Sequence, residues 1–210
     1  MTYAVTIQNL SKSFGDHIIF EDFSLEILKG SMIAIQGKSG SGKSTLLNII
    51  GALEKPDDGT IQVLDYENVK PNSKKSEKML RYKIAYLFQN YALIDNLTVE
   101  KNLNLAMHYR KDKSPSMIRD ALKLVGLEGF ENKKIYTLSG GEQQRIALAR
   151  TFLKPCDIIL ADEPTGNVDD ENKEMIIGIL SKLKETGKTI IVVTHDTSLD
   201  KYFDDIIVLD

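Results

Sequence analysis

A single cysteine, Cys156, stands in 210 residues. No internal disulfide can form, as expected of a chain kept in a reducing cytoplasm, and Cys156 is read as a packing residue. Apolar stretches are short, and none approaches the roughly 18 residues of a membrane span. Work at a membrane would therefore require a partner chain. Neither charge sign prevails, with 27 basic against 30 acidic residues and a net charge of −3. Nothing in that balance marks a footprint for nucleic acid. The opening Met1-Thr2-Tyr3-Ala4-Val5-Thr6 lacks the basic region and apolar core of a signal peptide. Internal repeats and low-complexity segments are missing, and no further domain is expected after Ile206-Ile207-Val208-Leu209. These limits predict one domain over 1–210, with enough apolar residues, at 42%, for a sizeable core.

The residues that are present centre on Gly37-Lys38-Ser39-Gly40-Ser41-Gly42-Lys43-Ser44-Thr45. An apolar run, Met32 to Ile35, precedes this stretch and reads as a buried strand; Leu46 to Ile50 comes after it and reads as a helix. Strand, glycine-rich turn, helix is the context in which this pattern is a phosphate-binding loop. The glycines let successive N–H groups point inward around phosphate oxygens, and the helix start adds its dipole and its unpaired first-turn donors. Lys43 brings a point charge to the β- and γ-phosphates, and the Ser44 hydroxyl can ligate Mg²⁺. A nucleoside triphosphate is the expected ligand.

Short strands are expected at Ala4–Ile7, over Ile18–Ile27 and at Thr60–Val63, forming an antiparallel sheet beside the site. Val69 to Lys83 is basic and reads as a solvated loop with a short helix. Ile84–Phe88 is the next strand. From Thr98 to about Lys134 apolar residues fall at helical spacing, divided by Ser114-Pro115, which predicts a helical sub-lobe of about 91–150. Strand and helix then alternate: strands at Asp157–Ala161, Thr189–Thr194 and Ile206–Leu209, a helix from about Glu171 to Glu185. The fold class is α/β, with a mainly parallel core sheet.

Two further stretches carry chemistry. Asp162 and Glu163 end an apolar strand, and on extended backbone their carboxylates would point to opposite sides. Asp162 suits a Mg²⁺ position near Ser44, and Glu163 a general base for an attacking water. Leu138-Ser139-Gly140-Gly141-Glu142-Gln143-Gln144-Arg145 opens a helix, with Ser139 and Glu142 forming a capping box. The pair Gly140-Gly141 costs helix stability but admits a phosphate to the N–H groups. A second anion site on one chain suggests two copies sharing nucleotides.

With these motifs in order over essentially its full length, the sequence resembles the ATPase subunits of ATP-binding cassette (ABC) systems. The resemblance makes Gly37–Thr45 the Walker A loop and Asp162 and Glu163 the Walker B aspartate and catalytic glutamate. It makes Ser139, Gly140 and Gly141 part of the signature motif that meets the γ-phosphate of the opposite subunit. Gln89 matches the glutamine that senses Mg²⁺ and faces the membrane partner. Gly166-Asn167-Val168-Asp169 matches the loop across the dimer interface, and His195 the switch histidine at the γ-phosphate. Phe14 stands where the family stacks an aromatic on adenine, usually Tyr, and keeps the π face. His17 and His108 match nothing and read as ordinary surface or packing residues.

The resemblance implies ATP and Mg²⁺ as cofactors, a homodimer in the ATP-bound state, and a separate transmembrane permease. It places the chain peripherally at the cytoplasmic face of the membrane. The run from Ala161 to Asp169 is most similar to the group serving lipoprotein release, macrolide efflux, antimicrobial-peptide export and the cell-division pair. Tyr91 to Thr98 is most similar to its bacteriocin exporters. Export or extraction of a peptide, lipoprotein or drug is the implied work; mechanotransmission without transport is the alternative. DNA-repair and translation ATPases of the family need coiled-coil insertions or two cassettes, which 210 residues do not hold.

Overall fold

The computed structural model describes residues 2–166 and 168–209, without the side chains of Pro115 and Asp170. Five strands form an all-parallel sheet: β3 (Met32–Gly37), β6 (Ile84–Leu87), β7 (Ile158–Asp162), β8 (Thr189–Val193) and β9 (Asp205–Leu209). Their order is β6-β7-β8-β3-β9. The inner strands are continuously apolar over four residues, at 32–35, 158–161 and 190–193, because both faces of the sheet are covered. Alternate residues serve different cores. Ile33, Ile35, Ile84, Ile158, Leu160, Ile191 and Val193 point to one side, whereas Leu87, Ile159, Ala161, Ile190 and Val192 point to the other.

The first core also contains α1 (Lys43–Ile50) and a four-stranded antiparallel sheet. That sheet has the order β2-β1-β4-β5 and is built from β1 (Tyr3–Phe14), β2 (His17–Leu28), β4 (Asp58–Val63) and β5 (Tyr66–Glu67). β1 runs well past the four residues that alternation suggests. A register shift beyond Ile7, with Asn9 at φ 53°, interrupts the alternation without ending the pairing. The basic stretch holds α2 (Lys74–Tyr82), which Ser73 caps.

The second core gathers α3 (Val99–Ala106), α4 (Pro115–Leu124), α5 (Gly140–Leu153) and α6 (Asp170–Glu185). Ile146, Leu148 and Leu153 of α5 are fully buried and belong to the same cluster as Leu103, Leu122 and the sheet residue Ile159. The helical lobe therefore shares its core with one face of the sheet. The helical character expected up to Lys134 stops at Leu124; from there a 3-10 turn (Ile135–Thr137) and loops lead to α5. Gly126, at φ 66°, provides the left-handed residue that ends α4.

Candidate nucleotide-binding site

β3, β8 and β7 are neighbours in register, with Ile35 opposite Val193 and Val193 opposite Asp162. The segments downstream of these strands therefore leave the sheet at the same edge, where ligands collect in open α/β sheets. The loop from Gly37, Asp162-Glu163 and His195 all meet there.

The loop is closed by contacts that exclude side chains. A Cβ on Gly37 would lie 2.3 Å from the Leu209 carbonyl oxygen, and one on Gly42 would lie 2.4 Å from Ile19 Cγ2. Gly42 is the N-cap of α1 at φ 89°, a conformation that glycine takes without strain. Lys43 Nζ folds back over the loop and donates to the carbonyls of Gly37 (2.8 Å) and Lys38 (2.7 Å). Ser41 Oγ is buried without a hydrogen-bond partner, so a donor remains inside the loop. Such an orphan fits a loop shaped to hold an anion.

Ser44 Oγ donates to Asp162 Oδ1 at 2.9 Å, joining residues from α1 and the end of β7. Burial pushes the Asp162 carboxyl above its ordinary range, opposed by the Ser44 hydroxyl and by Lys43. A desolvated carboxylate beside a hydroxyl suits a hard divalent cation, which takes oxygen ligands. Ser44 and Asp162 are the residues that would hold Mg²⁺.

Glu163 corrects one expectation. β7 ends at Asp162, and Glu163 has left the strand with φ 47°, so a turn and not the pleat separates the two carboxylates. The Glu163 N–H donates to the Val193 carbonyl (2.9 Å), and the Gly166 N–H donates back to Glu163 (3.0 Å). A left-handed non-glycine residue is uncommon and is held here by both neighbours. The turn brings Glu163 Oε1 within 2.9 Å of His195 Nδ1. Glu163 is largely buried, whereas the His195 ring is exposed.

Around these groups lies a cleft of about 490 Å³, lined by Phe14, Ser39, Gly40, Gly42, Lys43, Ser44, Thr45, Gln89 and Glu163. A second cleft continues it past Gln89 and Glu163 to His195 and Gly166. β6 ends at Leu87, so Gln89 sits two residues beyond the strand and not directly after it. Phe14 is 48% exposed, no core aromatic, with Lys12 Nζ 4.6 Å from its ring centroid.

Some site residues carry no signal in the sequence. His17 and Ile19 line the cleft next to Phe14; His17 is exposed there, a surface residue as expected. Both arrive by hairpin pairing of β2 with β1, Phe14 opposite His17, which no motif marks. Asp196 and Lys173 form a 2.9 Å ion pair in the second cleft, and the Ser198 hydroxyl, then Lys173, hold the Asp196 carboxyl down at about 2. His108 lies elsewhere, edge-on to Tyr109.

The remaining expected residues stand apart. Ser139 caps α5: its Oγ accepts from Glu142 N (3.3 Å) and its N–H donates to Glu142 Oε2 (2.7 Å). That N–H keeps the Glu142 carboxyl below its usual range. Ser139, Gly140 and Gly141 line neither cleft. Asp169 caps α6, with Oδ1 accepting from Asn172 N (2.9 Å) and Nδ2 (2.8 Å). Asn172 in turn accepts from Arg145 on α5. Asn167 lies outside the described residues. Cys156 is buried, and burial pushes its thiol up, as befits a packing residue.

Comparison with known proteins agrees with this geometry. The pattern of the family described as ABC transporter matches residues 20–166. The chain is 39% identical over 198 residues to the macrolide export ATP-binding/permease protein MacB of Campylobacter jejuni, covering 93% of this chain and 31% of that protein. It thus spans about a third of the length of such relatives. It is 40% identical over 220 residues to the uncharacterised ABC transporter ATP-binding protein MJ0796 of Methanocaldococcus jannaschii, covering 98% and 92% of the two chains. A solved dimeric structure of MJ0796 in a post-hydrolysis state with ADP and Pi superposes with a TM-score of 0.88 at 38% identity, covering 98% of this chain and 94% of that one.

Proposed function

The chain belongs to the ABC transporter family as an ATP-binding, ATP-hydrolysing unit, and from that premise we propose that two copies close on ATP to drive a separate membrane permease. One observation carries the proposal: the loop within Gly37–Thr45 and Glu163 line one cleft, which a second cleft continues to the Glu163 partner His195, whereas Ser139-Gly140-Gly141 lies outside both. Each nucleotide site is then completed by a second copy, whose α5 N-terminus supplies donors to the γ-phosphate. The dimeric MJ0796 structures support that reading.

In the proposed site the loop N–H groups and Lys43 grip the β- and γ-phosphates, and Phe14 offers its face to the adenine. Ser44 and Asp162 would hold Mg²⁺, which would add positive charge at the phosphate oxygens. Glu163, aimed by its turn and by His195, accepts the proton of the attacking water. His195 and Gln89 report the γ-phosphate to the rest of the chain, and Asp169 faces the second copy.

A groove of about 560 Å³ between α2 and α3 is lined by Leu80, Tyr86, Phe88, Leu105 and Tyr109. Phe88, Leu105 and Tyr109 are exposed there. We assign that groove to the permease, because such apolar patches mark partner surfaces. No helix among the described residues is long and apolar enough to cross a membrane. The likeness to a macrolide export protein supports export of a drug. Export or membrane extraction of a peptide or lipoprotein, with bacteriocin export as the narrowest form, is the wider reading suggested by the runs at 91–98 and 161–169. The work would then be done at the cytoplasmic face, with no nucleic acid involved.

Sedimentation of Glu163→Gln with ATP tests the closure: a dimer is expected, and a strictly monomeric species at high concentration would refute it. Purification of the same variant from native membranes should recover a transmembrane protein; recovery of the soluble chain alone would remove the permease.

A further inference from the structure

α5 carries a cation without a counter-charge. Arg150 is half-buried, and burial pushes its guanidinium pKa down. No carboxylate among the described residues pairs with it. Its fork donates instead to two successive carbonyls, Nη2 to Tyr91 at 2.7 Å and Nη1 to Ala92. Lys154, the extended residue that caps the end of α5, is also pushed down by burial, and Arg150 adds to that shift.

The segment that Arg150 grips is itself unusual. Tyr91 and Ala92 have φ of 61° and 48°, two consecutive non-glycine residues in the left-handed region. Such a turn persists only where its surroundings hold it. The Tyr91 N–H donates to the Phe88 carbonyl (3.0 Å) and the Ala92 N–H to that of Asn90 (2.7 Å). Phe88 is stacked on Tyr86, centroids 4.1 Å apart. Gln89 thus stands between a stacked ring and a clamped turn, at the junction of the two clefts.

We propose that Arg150 is a positioning residue for Gln89: its fork on Tyr91 and Ala92 sets the Gln89 loop and ties it to the helix that begins at Ser139. Planar, two-pronged donation to adjacent carbonyls fixes a direction as well as a distance, which a lysine does not. α5 is one 14-residue helix with a buried side, so a shift at Gly140-Gly141 is transmitted along it to the Gln89 loop. The inference rests on the role assigned to Gln89, and its tests separate the two.

Hydrogen exchange read by mass spectrometry on Arg150→Met and Arg150→Lys probes the loop itself. Exchange across 88–92 should quicken at least 10-fold in Arg150→Met and less in Arg150→Lys, with β7 and β8 unchanged. Unchanged exchange across 88–92 overturns the clamp whatever Gln89 does. ATP hydrolysis supplies the second reading. Arg150→Met should lower kcat about 10-fold with KM for ATP within about 2-fold, and should cost little more when added to Gln89→Ala. Losses that multiply overturn the positioning of Gln89. Normal turnover by Gln89→Ala, with quickened exchange in Arg150→Met, refutes the role of Gln89 and leaves the clamp. If Arg150→Met does not fold, Arg150→Lys decides by the same two readings.

Discussion

Placing one methyl group at Gly42 tests how the antiparallel sheet and the phosphate loop depend on each other. In Gly42→Ala the new Cβ meets Ile19 Cγ2 at 2.4 Å and Phe20 Cζ at 2.8 Å, both closer than carbon atoms approach. The backbone there sits at φ 89°, which costs an L-residue about 1–2 kcal/mol. Overpacking against a buried ring and a half-buried isoleucine adds about 1–3 kcal/mol. Alanine also restricts the unfolded chain, which returns about 0.4–1 kcal/mol. Together these effects give a net loss of about 3 kcal/mol. For a chain of this size that lowers Tm by roughly 6–12 °C. Urea denaturation monitored by circular dichroism, with Tm by calorimetry, measures it. Ile19→Ala removes the Cγ2 that is struck, so its cost should shrink in the Gly42→Ala background, a coupling of about 1–2 kcal/mol. A loss below about 0.5 kcal/mol, or strict additivity of the two substitutions, would refute the packing of β2 on the loop.

The same site sets four other outcomes. Glu163→Gln should bind ATP like the parent and lose turnover by at least about 100-fold, whereas Lys43→Ala should lose binding itself; equilibrium binding beside a phosphate-release assay separates them. Phe14→Ala should weaken ATP binding by about 1 kcal/mol while Phe14→Tyr leaves it unchanged, as titration calorimetry would show. Because burial raises the Asp162 carboxyl in the folded state, its ionised form opposes folding at neutral pH. Ligand-free Asp162→Asn should thus melt higher than the parent near pH 7, with the gap closing as pH falls toward the ordinary carboxylate range; an equal or lower Tm at pH 7 would contradict this. Asp196 has the opposite sign. Its folded pKa, about 2, lies below the ordinary 3.8, so its contribution is complete at neutral pH and lost as pH falls from about 4 to about 2. Asp196→Asn should be less stable than the parent at pH 7, with the gap closing as pH falls through about 2; a gap independent of pH would exclude the assignment.

The strand, the glycine turn, the helix after it and the capping box at Ser139 are all readable along the chain, because each acts within one turn of backbone. Phosphate is gripped by consecutive N–H groups, so the residues that permit the grip must be consecutive as well. Apolar runs at 158–161 and 189–193 announce strands covered on both faces for the same local reason. Tertiary structure decided the partners. The motifs led to Asp162 near Ser44 across 118 positions, but Arg150 meets Tyr91 across 59 with no trace in spacing. His17 reached the cleft through the register of a hairpin, and Glu163 found His195 by a left-handed turn that no glycine advertises. Local backbone geometry is written in neighbouring residue types; which side chains meet depends on how a parallel sheet aligns strand ends that are far apart in the chain.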